Sequence, residues 1–97
     1  MTLFELNAFL QEKKFYLSGT KTQYRFPGNE IIKNDSLIGY YQLIEDGHLL
    51  YIEITLSEYD PVAFVIDVIK EKNGPVMLKL YSQGKDTPFM ILEESTS

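Results

Sequence analysis

Two short turn signals constrain this chain more than anything else in it: Glu45-Asp46-Gly47-His48 and Glu71-Lys72-Asn73-Gly74-Pro75. Each stands between runs in which apolar and polar residues alternate. Each carries Asp-Gly or Asn-Gly, pairs that readily supply the positive φ of a tight reversal. A chain punctuated in this way folds as an antiparallel β-meander. The pattern says much about fold and little about chemistry.

Ahead of the meander, Thr2 and Glu5 have the spacing of a capping box, with Thr2 as N-cap. Leu3, Leu6 and Leu10 recur at helical spacing and Phe9 widens the stripe. Lys13 and Lys14 fall where a last helical turn would welcome positive charge. The expectation is an amphipathic helix over residues 3–13. So short a helix is marginal alone, so its stripe should lie against a sheet end or a barrel mouth.

From Phe15 the period becomes two, and strands are expected at 15–18, 22–26, 30–33, 37–44, 48–56, 62–71, 76–82 and 88–93. Gly, Pro and Asx clusters separate them, among them Pro27-Gly28-Asn29, with Pro27-Gly28 suited to the centre of a type II turn. A two-residue Asp46-Gly47 loop would pair Glu45 with His48, Leu43 with Leu50 and Tyr41 with Ile52. It would also gather Leu37, Tyr41, Leu43, Leu50, Ile52, Ile54 and Leu56 on one uncharged face, with Ile38 and Tyr40 on the other. At the second signal a two-residue loop would set Val68 against Lys79. A three-residue Lys72-Asn73-Gly74 loop with Gly74 left-handed instead pairs Val68 with Leu78 and Ile66 with Leu80. Residues 1–97 read as one domain, with the helix at 3–13, strands across 15–93 and a frayed tail at 94–97.

Cysteine is absent, so disulfides, thiolate metal sites and cysteine nucleophiles are excluded and stability rests on packing. A net charge of −5 opposes binding to phosphate backbones and anionic lipid, so nucleic acid and membrane are not expected partners. The first residues lack the features of a signal peptide and no apolar run spans a bilayer, which points to the cytoplasm.

Sites for chemistry are few. His48, the single histidine, reads as the cross-strand partner of Glu45 rather than a base or ligand. Ser57-Glu58-Tyr59-Asp60 offers oxygens but lacks the ligand alternation of a calcium loop, and reads as a solvated connection. No phosphate-binding glycine loop, nucleophile elbow or dinucleotide fingerprint occurs, so neither an enzyme nor a cofactor is expected. Seven Tyr and six Phe remain as the suggestive feature, and several of them fall on expected strands. Such rings serve as core, as an interface or as the lining of a ligand cavity. For a cavity, Tyr41, Ile52 and Phe64 are the candidate lining residues.

The stretch from Tyr24 to Leu92 resembles the small bacterial lipocalin-like (calycin-type) domains. The resemblance lies in Tyr24-Arg25-Phe26, Gly39-Tyr40-Tyr41-Gln42-Leu43, the Asp46-Gly47 hairpin, and the closing Val76 to Leu80 and Phe89 to Leu92 segments. The Gly-X-Trp motif of true lipocalins is absent, as is every Trp, and the chain is shorter than that family. The resemblance implies a barrel that binds a small apolar molecule. The fold expected is therefore mainly β: about eight antiparallel strands in a small barrel or strongly curved sheet, with one N-terminal helix. An open sheet with the helix across its concave face is the structural alternative. The functional alternative is a protein-interaction domain (inhibitor, immunity or assembly protein) that meets a basic protein partner through its acidic surface and an exposed strand edge.

Overall fold

In the computed structural model, which describes residues 1–95, the capping box forms as its spacing demands. The Thr2 hydroxyl accepts the Glu5 N–H at 3.1 Å, and the Glu5 carboxylate accepts the Thr2 N–H at 3.0 Å. Helix α1 runs Leu3–Glu12, with Leu6 and Leu10 wholly buried and Phe4 left outside. Neither lysine lies in its last turn, contrary to expectation. Lys13 is already extended and Lys14 opens the first strand, because Phe15 must enter the core directly.

Eight strands follow: β1 Lys14–Leu17, β2 Gln23–Arg25, β3 Glu30–Lys33, β4 Ser36–Asp46, β5 Leu49–Leu56, β6 Val62–Lys70, β7 Val76–Tyr81 and β8 Met90–Glu94. Each pairs antiparallel with the next, and β1 also pairs with β8 through Phe15–Glu94, Tyr16–Glu93 and Leu17–Leu92. The sheet is thus a closed barrel in sequence order. Closure settles the architecture against the open sheet. Glu94, expected in the frayed tail, belongs to β8, where its carboxylate accepts the Val76 N–H at 3.3 Å. The remainder of that expected tail, beyond Ser95, lies outside the described residues.

Strand direction sorts the connections between two ends. Odd strands start at the end that carries α1, together with the turns at 26–29, 47–48 and 71–75. The loops at 18–22, 34–35, 57–61 and 82–89 stand at the other end.

The first hairpin differs in register from expectation. Asp46 pairs with Leu49, so the loop is Gly47-His48, and Leu43 faces Ile52 while Tyr41 faces Ile54. Gly47, at φ 63°, takes the first loop position, where a type II′ turn requires glycine. The slide is two residues, so every side chain keeps its face. His48 becomes a loop residue, however, and Glu45 opposes Leu50, which removes the expected Glu45–His48 pair.

The second hairpin has the expected register, with Val68 opposite Leu78 and Ile66 opposite Leu80. The left-handed residue is Asn73 (φ 67°) rather than Gly74, whose N–H bonds to the Glu71 carbonyl at 3.2 Å. Asn73 thereby holds the third place of a type II turn, a position asparagine tolerates. Pro27 likewise begins its turn instead of standing at the centre: the Glu30 N–H reaches its carbonyl at 2.9 Å, and Gly28 has φ 60°.

One irregularity re-aims a side chain. Ile31 faces Gly39 but Ile32 faces Leu37, so Ile38 is an extra residue on β4. Past this bulge the alternation changes phase. Ile38 packs against the core, and Leu37, expected on the apolar face, is half exposed.

Candidate functional site

Inward-facing residues divide the barrel interior into two zones. Towards α1 it is filled. The Phe9 and Phe15 rings meet at 5.5 Å, Phe15 and Phe26 at 5.8 Å, and Phe26 and Tyr41 at 5.5 Å, all edge to face. Leu6 and Leu10 close this end from the helix. The Tyr41 hydroxyl is 3.0 Å from both the Phe26 and the Gly28 carbonyl oxygens, which share its single proton. Burial pushes its pKa up to about 12, because the phenolate would lie in apolar surroundings.

Towards the other end the interior is open, and a cavity of about 350 Å³ descends from the rim to Leu10. Its walls come from neighbouring strands: Ile52 beside Phe64, Ile66 beside Leu80, and Leu78 beside Leu92. Along β6 the lining runs from Val62 to Ile66, four residue steps or roughly 13 Å. The rim is apolar and exposed. Tyr59 is 76%, Phe89 64%, Val62 52% and Leu56 39% accessible, so the entrance is greasier than a solvated loop end requires. Phe89 stacks on Phe64 at 5.0 Å and forms one side of that entrance.

Polar side chains are scarce on this lining. Only Tyr24, Tyr59 and Asp60 among the lining residues have polar side chains, no Lys, Arg or His contributes, and the surface facing the cavity is almost wholly apolar. The Tyr24 ring, 8% exposed, stacks beside Phe26 at 6.5 Å, and its hydroxyl makes no hydrogen bond among the described residues. The volume is at the small end of the ~300–1,000 Å³ typical of ligand sites, which are concave, mostly apolar and carry a few polar groups.

Of the three candidate lining residues, Ile52 and Phe64 face the cavity. Tyr41 belongs to the aromatic plug beneath it. The 57–60 segment is exposed, as a solvated connection should be, and its Tyr59 and Asp60 also border the entrance, which no sequence signal announces. Ile38 was missed because nothing in local alternation announces the bulge that turns it inward.

A second, shallower depression lies on the outer wall near the closed end, bordered by Met1, His48, Leu49, Asp67, Lys70 and Tyr81. It occurs where the β5–β6 ladder stops at Tyr51–Val65 and the two strands diverge. No group of three or more His, Asp or Glu side chains converges among the described residues, there or at the rim. No helix among them is long and apolar enough to cross a membrane. No protein-family model, curated protein or solved structure matches this chain at a significant level.

Proposed function

We propose that this protein is a non-enzymatic, lipocalin-like barrel that binds a small apolar molecule. One observation carries the reading: an apolar cavity of about 350 Å³, sealed at one end by α1 and its aromatic plug and open at the other through an exposed apolar rim. Water gains little there, since it finds few hydrogen-bond partners on such walls. An apolar ligand would displace it and bury both surfaces, at about 25 cal/mol per Å².

The lining supports binding better than catalysis. An almost wholly apolar lining offers no nucleophile, base and orienting group within reach of one another. The compartment suggested by the sequence, the cytoplasm, belongs to the same proposal. The alternative, an interaction domain for a basic protein, loses its strand edge because β1 and β8 pair. What it keeps is the net charge of −5.

Native mass spectrometry of the protein purified from cells tests the proposal, together with titration by an apolar fluorescent dye. The expected results are a co-purified molecule of fixed mass and saturable dye binding, one per protein. A bare mass combined with non-saturating dye uptake would sink it.

A further inference from the structure

The cavity is almost wholly apolar and closed at one end, and these two properties define what it can hold. Two side chains form its floor, Leu10 of α1 and Phe26 just after β2. Phe26 is fixed by ring contacts with Phe15 at 5.8 Å and Tyr41 at 5.5 Å, and neither of those two rings belongs to the lining. Leu10 is wholly buried and, among the described residues, the one residue of α1 on the lining. The wall rises from Ile66 to Val62 on β6, roughly 13 Å. A hydrogen-bonding group carried down this wall loses its water and finds no partner. A hydrocarbon instead gains burial with each methylene until it meets the floor.

We infer that the ligand enters with a hydrocarbon end that bears no hydrogen-bonding group, and that Leu10 sets the greatest length of that end. This rests on the binding function proposed above and adds the class of the buried part and the residue that limits it. A depth of roughly 13 Å corresponds to an extended chain of about ten carbons. Any polar group of the ligand then stays at the mouth, in water. Leu10 determines specificity because it stands where the chain must end. It lies on the helix and not on a strand, so a change there leaves the hydrogen-bonded ladders of the wall in place.

Straight-chain alkanols from hexanol to dodecanol, measured by displacement of a bound apolar dye, read the depth. Affinity is expected to rise about fourfold per added carbon, the transfer free energy of one methylene, and to level off at about ten carbons. Decane carrying a hydroxyl at each end must bring one of them to the floor or leave its chain outside. It should bind about tenfold more weakly than decanol. Leu10→Ala should move the break to chains about one or two carbons longer, and Leu10→Phe, which fills the floor, to shorter ones. Truncating a buried leucine also costs stability, so Leu10→Phe carries this arm if Leu10→Ala does not fold. A break that stays at the wild-type length in the folded variants overturns the assignment to Leu10. No break up to dodecanol, or a diol that binds as tightly as decanol, overturns the inference as a whole. In each of these cases the binding function stands, since alkanols compete with the dye. If neither dye nor any alkanol binds, the binding function itself fails and takes this inference with it.

Discussion

The Tyr41 hydroxyl, on β4, donates to the backbone carbonyl of Phe26 at 3.0 Å and so ties the middle of the longest strand to the turn after β2. The same oxygen lies 3.0 Å from the Gly28 carbonyl, and the Tyr41 N–H bonds to the Asn29 carbonyl at 2.8 Å. One residue thus holds the whole 26–29 turn under the closed end. Tyr41→Phe keeps the ring and removes the one proton that the two carbonyls share. We expect it to cost about 1–3 kcal/mol in urea unfolding.

Alkaline pH should act on the same contact. The folded pKa of Tyr41 is raised to about 12 by burial, above the ordinary value of 10.0. The native state therefore holds this proton over a range in which the unfolded chain has released it. Its contribution is complete below pH 10 and is lost as pH rises through 12. Unfolding curves at pH 8 and pH 11 should separate more for the wild type than for Tyr41→Phe, and equal separations would remove Tyr41 as the cause.

Gly39 is needed for closeness and not for an unusual φ. A Cβ there would collide with the Thr55 carbonyl oxygen and come within 3.1 Å of the Leu56 Cα, both backbone atoms of the paired strand. Neither can retreat without breaking the β4–β5 ladder beside the Ile38 bulge. Gly39→Ala should cost about 3 kcal/mol, at the upper end of overpacking effects. A lower denaturant midpoint at unchanged slope is the expected signature. A variant as stable as the parent would mean that the strands separate easily at this point.

Apolar alternation was informative wherever the pleat was regular. It places Ile52, Phe64, Ile66, Leu78 and Leu80 inside, and all five are buried. It failed at Leu37 and Ile38, where an added residue changes the phase, because a bulge depends on how two strands must bend and not on local composition. The Gly47-His48 loop shows a subtler limit. Sliding a hairpin by two residues preserves both faces, so burial patterns cannot distinguish the registers. The cavity was only partly legible. Ile52 and Phe64 follow from alternation, but Tyr59, Asp60 and Phe89 reach the entrance from loops, and loop path has no periodic signal.

The Thr2 cap is a local device with consequences for the floor of the cavity. It satisfies the Glu5 N–H, and the reciprocal bond from the Thr2 N–H holds the Glu5 carboxyl below its ordinary pKa. Thr2→Ala should lower stability by about 1 kcal/mol. The effect should concentrate in α1: amide exchange at Leu6 to Leu10 is expected to accelerate while β6 and β7 are little changed. A uniform acceleration across the barrel would show that helix and sheet open together. Because the Glu5 pKa is depressed in the folded state, the contribution of the box is present above 4.5 and fades as pH falls below it.

Filling the cavity separates its two roles, as packing defect and as binding site. Ile54 lines the upper wall, opposite Tyr41 on β4 and Val62 on β6, with open space in front of it. In Ile54→Phe the added ring atoms would occupy that space and not displace packed neighbours, so the unliganded protein should gain about 0.5–2 kcal/mol. An apolar dye should bind at least tenfold more weakly, since the ring takes the volume it needs. Ile44→Phe is the control: Ile44 pairs with Tyr51 on the outer wall and is not part of the lining, so dye affinity should be unchanged. Gained stability with lost binding would place the dye inside the barrel. If Ile54→Phe binds dye as before, the dye occupies the outer surface instead, and the depression near His48 and Tyr81 becomes the site to mutate next.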